Sequence, residues 1–235
     1  MLRNVFGKTL WDQRRGIVIW ALAVAAVGVL YAAFWPTMNT PELTQFLEAY
    51  PAGLMEAIGF TDISSPAGYL GATTFGLLGP VLMIIYAAML GGRAIAGEEQ
   101  DGRLEVLLAH PVERWRIVVE RGAAMLVALA VAGLALWAAM LIAAGPAQFT
   151  EIGADRLAAA TLQLVLLALL FGSVALCVGA ATGRRAMALG MVGALAVAAY
   201  LANNLAPMVD AIAWTQSISP FYYFSAGKPL VNGWQ

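Results

Sequence analysis

Long apolar segments alternate with short polar ones along this chain. Five segments contain no Asp, Glu, Lys, Arg or His. A helix of about 20 residues, with about 1.5 Å of rise per residue, crosses about 30 Å of hydrocarbon. Apolar runs without alternation predict helices rather than barrel strands, and only these two structures satisfy their own backbone in lipid. The predicted transmembrane helices cover residues 16–35, 69–92, 122–144, 157–182 and 186–206.

Composition supports this prediction. Hydrophobic residues make up 61% of the 235 residues and charged residues 11%, less than half of the roughly 25% usual in soluble domains. We therefore expect an all-α integral membrane protein with one transmembrane domain over residues 1–235. The net charge of -1 provides no basic field for nucleic acid, so no nucleic-acid partner is predicted. The single cysteine, Cys177, lies in an apolar run and is expected to be a buried structural thiol.

The basic residues predict the orientation. Eleven of the 13 Lys and Arg residues lie in the N-terminal tail, in residues 93–121 and in the link between the fourth and fifth segments. The other side of the membrane would hold only Arg156 and Lys228. Because Lys and Arg concentrate on the cytoplasmic side, the N-terminus and residues 93–121 are predicted to be cytoplasmic.

Two segments are then predicted outside the cell. Residues 36–68 carry acidic residues, and Thr40 and Pro41 form a helix-start signal, which favours short helices in this loop. Residues 207–235 are rich in aromatics, Pro and Gly and predict a re-entrant or interfacial segment. Its Phe221, Tyr222 and Tyr223 suit the headgroup region and are a candidate extracellular gate.

The chain lacks the patterns of an enzyme. It has one His and one Cys, too few for a usual zinc site, and no nucleotide-binding or hydrolase motif. The apolar segments also lack the ionisable groups that ion-coupled carriers place in the membrane. We expect no catalytic residue, cofactor or metal in this chain. Any transport would be passive or powered by a partner.

Small residues repeat on the last two apolar segments at a spacing that lets helices approach closely. Such faces serve either packing within one bundle or contact between subunits, and the sequence leaves both open. The residues are Ala168, Gly172, Ala175, Gly179, Gly190 and Ala194.

The polar block 93–121 has a helical pattern. Gly102 predicts the end of an acidic helix, and Pro111 ends a second helix because the residue before Pro leaves the α region. Between them, Leu104, Leu107 and Leu108 share one face. That apolar face must be buried against the bilayer or a protein. The acidic residues around it would be repelled by the anionic inner leaflet, which favours a protein partner.

The segment "GRAIAGEEQDGRLEVLLAHPVERWRIVVER" resembles the cytoplasmic segment of ABC-2 type transporter permeases. The outer "PELTQFLEAYPAGLMEAIG" and the terminal "SPFYYFSAGKPL" are also similar to loops of this family, so the resemblance covers essentially the whole chain. Arg103 departs from the common Thr. The central motif matches at Glu98, Glu99, Gly102, Leu104, Glu105, Leu107, Leu108, Pro111, Val112 and Arg114.

The resemblance implies a subunit of six spans, of which five are visible here; either a sixth span follows Gln235 or the chain departs from the family topology at its C-terminus. It further implies a second permease subunit, identical or different, and two cytoplasmic ABC ATPase subunits that carry ATP and Mg. The segment after the second span would be a coupling helix seated in the ATPase, and residues after the fifth span would form re-entrant helices at the exit. The implied docking residues are Glu98, Glu99, Gly102, Leu104, Leu107, Leu108, Pro111 and Arg114.

These observations predict the membrane-spanning subunit of an ATP-driven exporter in a prokaryotic plasma membrane. The apolar bundle favours an amphipathic or hydrophobic substrate, such as a drug, an antibiotic or a lipid-like molecule. The alternative is a membrane anchor that recruits a cytoplasmic complex and transports nothing. Stimulation of ATP hydrolysis by a substrate would distinguish the two. An intramembrane enzyme is disfavoured because the spans contain no acid, base or metal ligand.

Overall fold

The computed structural model describes residues 5–38, 40, 65–100, 102, 114–206 and 210–234. In these ranges every regular element is a helix. Two stretches, Thr74–Leu78 and Arg93–Gly97, are π-helical, and Asp210–Ile218 is a 3₁₀ helix. The α-helices are α1 (Val5–Met38), α2 (Pro66–Ala72), α3 (Gly79–Gly92), α4 (Glu98–Gln100), α5 (Arg114–Ala144), α6 (Ala154–Thr182), α7 (Arg185–Leu205), α8 (Pro220–Ala226) and α9 (Pro229–Asn232).

Five helices are long and apolar enough to cross a membrane, and each contains one of the predicted spans, the fifth except for its last residue, Ala206. The all-α membrane fold with five long helices is therefore confirmed, while the cytoplasmic position of the N-terminus stays a prediction. The short helices predicted in the outer loop fall almost entirely on residues 41–64, outside the described ranges. The five long helices are Val5–Thr37, Pro66–Gly97, Trp115–Ala144, Ala154–Thr182 and Arg185–Leu205.

The first helix is longer at both ends than its apolar run. It begins at Val5, so the polar residues before Gly16 extend the same helix instead of forming an irregular tail. It also contains Pro36, which the sequence placed at the start of the outer loop. Pro36 lacks the N–H that would bond to the carbonyl of the preceding turn, and the helix ends two residues after it.

The second long helix changes its winding around Pro80. A proline in a helix removes one N–H and crowds the preceding turn. Here the chain widens into a π-helical turn just before it, and the N–H of Gly79 donates to the carbonyl oxygen of Thr74, five residues back. Such single π turns relieve local crowding without ending the helix. Residues Pro66–Gly97 therefore remain one continuous membrane-length element.

Helix α6 lies at the centre of the bundle. It packs against α3, α5 and α7, and α1 packs on the outside, mainly against α5. The bundle has a basic end and an opposite end. The basic end carries the start of α1, Arg93–Gly97, the start of α5 and the α6–α7 link. The opposite end carries the start of α2, the α5–α6 link and residues 210–234. Because successive long helices run in opposite directions, the two flanks of the polar block share the basic end.

The contact between α3 and α6 depends on small residues. A Cβ atom at Gly91 would overlap the carbonyl oxygen of Gly172 and lie 2.9 Å from the backbone nitrogen of Leu176. Ala168 and Ala175 on the same face of α6 are fully buried. The small-residue face of α6 therefore serves packing within the subunit, where backbones that approach closely gain dispersion contacts.

Two other expectations concerned the surfaces of α6 and α7. The sequence predicted a buried Cys177, and this prediction is wrong, because Cys177 is exposed. On α7, Gly190 and Ala194 are exposed as well. An apolar side chain in a membrane protein gains little by entering the protein, since lipid tails are equally apolar. Apolar character therefore did not decide burial at these positions.

Candidate functional site

The two flanks of the predicted cytoplasmic block are joined to each other at Arg121. Its side chain is 7% exposed, and arginine is rarely so buried without a partner. Its Nη1 donates a hydrogen bond to the carbonyl oxygen of Ala94, 27 residues earlier in the chain. Ala94 lies in the π-helical turn Arg93–Gly97 and Arg121 in the first turns of α5. A hydrogen bond from a charged group contributes about 1.5–3 kcal/mol, so this bond resists separation of the two flanks.

The first flank of the block also contacts the link between α6 and α7. Helix α6 ends at Gly183, which has a left-handed φ of 63° and donates its N–H to the carbonyl oxygen of Gly179. The carboxylate of Glu99 lies against this glycine, since a Cβ there would be 2.8 Å from Oε2 of Glu99. The left-handed φ favours glycine at this position, while the Glu99 carboxylate, at the end of a flexible and exposed side chain, could move away from a larger residue.

The acidic stretch of the block ends where its glycine predicted. Gly102 has a φ of 69°, and its N–H donates to the carbonyl oxygen of Glu99 at 3.1 Å. This is the left-handed turn with which helices often stop. The helix Glu98–Gln100 is therefore a single short turn that continues the second long helix beyond the π-helical segment.

A third contact at the basic end joins α1 to α5. The backbone N–H of Phe6 donates to Oε2 of Glu120 at 2.9 Å. Nε of Arg116 donates to Oε1 of the same carboxylate at 2.7 Å. The first N–H groups of a helix have no partner within the helix and favour negative charge nearby. Glu120 therefore satisfies the start of α1 and fixes it to α5, one residue before Arg121.

At the opposite end, Ser219 fixes the aromatic segment to α7. Its Oγ donates to the carbonyl oxygen of Ala199 at 2.7 Å and accepts a hydrogen bond from the N–H of Phe221 at 3.2 Å. The second bond caps the start of α8, where the first N–H groups lack partners. One side chain thus both begins a short helix and attaches it to the bundle.

The three aromatic residues of the candidate gate have different surroundings. Phe221 is 6% exposed, and its ring centre lies 5.9 Å from that of Phe171 on α6 and 5.5 Å from that of Tyr200 on α7. Tyr222 and Tyr223 are 36% and 67% exposed. Phe221 therefore anchors the segment between two long helices, and the two tyrosines face outward from it.

Comparison with known proteins supplies the family. A family model described as ABC-2 family transporter protein matches residues 3–225, which include all five long helices. The chain belongs to this family. Neither a curated protein nor a solved structure matches the chain at a significant level. The predicted resemblance is confirmed: the protein is a membrane permease of an ABC transporter, and the ABC-2 family implies association with an ABC ATPase.

For this ABC-2 permease, the predicted docking residues are described only in part. Glu99 and Gly102 are described, and both are exposed. The backbones of Glu98 and Arg114 belong to described helices, while their side chains fall outside the description. The remaining docking residues fall outside the described ranges, so their role stays a prediction; they are Leu104, Leu107, Leu108 and Pro111.

Sequence reasoning missed the residues that join the block to the ABC-2 bundle. Arg121 counted only toward the positive charge of one side, and Gly183 only as part of a link. The available signal for Arg121 was its position immediately before an apolar segment, where a long side chain can turn back toward the helix ends. For Gly183, the signal was a glycine directly after a long apolar run, which is typical of a helix stop.

Proposed function

We propose that this ABC-2 permease works in an ATP-driven exporter and couples ATP hydrolysis by a partner subunit to export of an amphipathic or hydrophobic substrate. The observation that carries the proposal is the junction at the basic end, where Arg121 joins both flanks of the polar block. A displacement of the block would act on α5 through Arg121. It would also act on α3 through Ala94, which lies in the π-helical turn that follows α3. The contact of Glu99 with Gly183 would extend it to α6 and α7.

The polar block is the part that would meet the ATPase. Leu104, Leu107 and Leu108 would enter a groove of the nucleotide-binding subunit, and Glu98, Glu99 and Arg114 would set their alignment by ion pairs. ATP and Mg would be held by that partner, so the permease would not itself be an enzyme. Binding of ATP would close the partner dimer and push the block, with its two flanks moving together.

A second permease subunit would cover the outer face of α7. Only 11% of the most apolar part of this helix is buried within the subunit. Gly190 and Ala194 lie on its exposed side, where small residues would allow another helix to approach. The second subunit would be another copy of this chain or a related permease.

The class of substrate follows from the lack of charge in the membrane. None of the five apolar segments contains an ionisable Asp, Glu, Lys, Arg or His, so the bundle would offer no counter-charge to a strongly charged solute. A drug, an antibiotic or a lipid-like molecule would cross with less loss of solvation. The exporter would act in a prokaryotic plasma membrane.

Replacing one leucine of the block tests the coupling. Leu107→Asp places a charge on the predicted docking face, and Val106→Asp places the same charge on the opposite face of that helix. The assay is ATP hydrolysis by the purified complex of this permease with the ATPase that co-purifies with it. We expect Leu107→Asp to abolish the stimulation by the permease and Val106→Asp to retain most of it. Equal rates in the two variants would contradict the docking assignment.

Transport is tested separately from docking. The complex is reconstituted in proteoliposomes, and candidate amphipathic substrates are added while ATP hydrolysis and substrate accumulation are measured. An exporter is expected to show hydrolysis that rises with a substrate and accumulation that requires ATP. A scaffold would bind the ATPase and show neither response.

A further inference from the structure

Two π-helical turns bracket α3 within the continuous helix Pro66–Gly97. Thr74–Leu78 lies directly before α3, and Arg93–Gly97 lies directly after it. A π turn bonds each N–H to the carbonyl five residues back instead of four, so it holds one residue more than the α turn that it replaces. Conversion of a π turn to an α turn would therefore shift the adjoining helix by up to one residue, which is about 1.5 Å along the axis and about 100° around it.

The hydrogen bonds at the first π turn are divided between the two registers. The carbonyl oxygen of Thr73 accepts the N–H of Leu77, four residues on, at 3.4 Å and the N–H of Leu78, five residues on, at 3.3 Å. Both distances exceed the usual N···O separation of about 2.9–3.0 Å, whereas the adjacent α-type bond from the N–H of Thr73 to the carbonyl of Tyr69 measures 3.0 Å. One carbonyl is thus shared between an α-type and a π-type partner, and neither register is well bonded at this residue.

Two side chains act on this balance in opposite directions. The α register would set the ring of Pro80 against the carbonyl of Gly76, four residues back, which favours the π register. In the observed π register, however, the hydroxyl of Thr74 is buried and has no hydrogen-bond partner in the described residues, and such a group costs free energy. Thr73 shows the ordinary arrangement, since its hydroxyl donates to the carbonyl of Tyr69, four residues back. These opposing effects bring the two registers closer in free energy.

Two glycines make the π register possible. A Cβ atom at Gly76 would lie 2.7 Å from the carbonyl oxygen of Gly71, and a Cβ at Gly79 would overlap that of Thr74. Both carbonyls lie five residues back, where the π turn places them. An α-helix has room for a Cβ at every position, and alanine is its best former. Alanine at either glycine would therefore oppose the π register and favour the α register.

Helix α3 is held much more firmly than α2. Ten of the 14 residues of α3 are buried, against two of the seven residues of α2. The far end of α3 is fixed by the close contact of Gly91 with Gly172, and the turn that follows it is fixed by the hydrogen bond to Ala94. A change of register at Thr74–Leu78 would therefore move α2 and leave α3 in place.

Helix α2 contacts α1 and α9 at the end of the bundle opposite the basic end. The ring centre of Tyr69 lies 5.4 Å from that of Trp35 on α1. A Cβ at Gly71 would lie 3.8 Å from Cδ1 of Leu230 on α9. Movement of α2 would change both contacts.

We propose that the π turn Thr74–Leu78 is a two-state hinge, whose conversion to the α register moves α2 relative to α9 and rearranges this end of the bundle. The conversion passes each N–H of the turn to the carbonyl one residue later, so no backbone donor is left without a partner. Single π turns inside α-helices frequently mark functional sites. The hinge is a property of this chain and holds whether or not the permease transports a substrate.

Distances between spin labels test the hinge in the full chain, reconstituted in nanodiscs. Cys177 is the only cysteine of the sequence and is replaced by Ser. One label is attached to α2 at a cysteine replacing Ala67, which is half-buried, and the other to α9 at a cysteine replacing Val231, which is 47% exposed. Double electron–electron resonance measures the distance. A second pair, at Val81 on α3 and Val231 on α9, is the reference because neither position lies on α2.

Two variants should produce the same new distance by different means. Gly76→Ala opposes the π register, and Pro80→Ala removes the ring that crowds the α register. We expect the distance between labels on α2 and α9 to shift by at least about 3 Å in both, which exceeds the axial shift of one residue because the label also turns around the helix. The distance between labels on α3 and α9 should stay unchanged. Pro80→Ala adds no atom to the helix, so it decides the question should Gly76→Ala fail to fold.

The matched control is Gly92→Ala in the same helix. A Cβ at Gly92 makes an ordinary contact, 3.6 Å from Cβ of Ala188, so this variant adds a methyl group without opposing a π turn. It should keep both wild-type distances. Wild-type distances in Pro80→Ala and in folded Gly76→Ala would overturn the hinge, as would an equal shift in Gly92→Ala. A shift in only one of two folded hinge variants would attribute the change to that side chain and would also overturn the proposal.

Discussion

The helix Pro66–Gly97 and helix α7 are almost equally apolar but have opposite surroundings. Their most apolar windows have mean hydropathies of 1.9 and 1.7, yet 61% of the first is buried within the subunit and 11% of the second. In water such apolar helices would both be driven inside. In a membrane the lipid is as apolar as the protein interior, so burial depends on how closely backbones can approach. The second long helix meets α6 through Gly91 and Gly172, and this contact decides its position.

Both α3 and α7 contain glycines, but only α3 buries them within the subunit. Gly91 and Gly92 of α3 are buried, while Gly190 and Gly193 of α7 are exposed. The difference suggests two uses for one type of helix face. The buried face of α3 packs within the subunit, and we infer that the exposed face of α7 contacts a second permease subunit.

The largest expected effect comes from adding one methyl group to each face. Gly91→Ala should lower the free energy of unfolding by about 3 kcal/mol, the upper end of the usual range for overpacking, because the new Cβ meets backbone atoms that cannot turn away. Gly190→Ala adds the same group in open space. It should leave stability unchanged or raise it by up to about 1 kcal/mol through helix propensity. Thermal unfolding of the purified subunit in detergent measures both, and equal changes would remove the distinction between the faces.

The second prediction concerns assembly through α7. Ala194→Leu should raise the dissociation constant of the permease dimer about tenfold, the effect of about 1.4 kcal/mol of overpacking at the interface. Ala138→Leu makes the same change at an exposed position of α5 and should leave dimerisation unaltered. Mass photometry in nanodiscs over a range of dilutions gives both constants. A dimer that is insensitive to Ala194→Leu would place the second subunit on another surface.

The smallest expected effect concerns the part of α7 that is covered. Ser219→Ala removes both the cap of α8 and the bond to Ala199, and should destabilise residues 219–226 by about 0.5–2 kcal/mol. Ser217→Ala is the control, since its Oγ donates to the carbonyl oxygen of Trp214 on an exposed turn. Hydrogen exchange of the amides after Ser219 should become faster in the first variant alone. Equal exchange in the two variants would mean that Phe221 holds the segment without help from Ser219.

The sequence was sufficient for the number and type of long helices and for the family. The charge-free runs of membrane length predicted the long helices, and the order of three motifs predicted the family. Burial was harder to predict, as exposed Cys177 shows, because apolar character does not distinguish lipid from protein. The small-residue pattern was visible on α6 and α7, but which neighbour each face meets depends on the path of the whole chain.

The sequence predicted docking residues in the middle of the polar block, whereas the contacts that attach the block to the bundle lie at its two flanks. Leucine spacing predicted an apolar docking face but said nothing about how the block is attached. The bond from Arg121 to Ala94 joins residues 27 positions apart, a long-range contact that no local pattern encodes. The π-helical turn at Arg93–Gly97 also has no clear composition signal, since Ala and Gly suit an ordinary helix end equally well.

In the coupling that we propose, the junction at Arg121 transmits motion between the polar block and the bundle. The direct test is the rate of ATP hydrolysis by the reconstituted permease–ATPase complex, measured well below the unfolding midpoint of every variant. Arg121→Met keeps an unbranched side chain that is flexible and apolar, but removes the guanidinium that donates to Ala94. Arg116→Met is the control. It removes an arginine of the same helix that is 59% exposed in its ion pair with Glu120, a pair worth about 1 kcal/mol or less.

We predict that the Arg121→Met complex retains the ATPase subunit. Its permease-dependent rate should fall at least about tenfold, equivalent to about 1.4 kcal/mol, while the rate of Arg116→Met stays near wild type. A stable Arg121→Met complex that hydrolyses ATP at the wild-type rate would contradict the account.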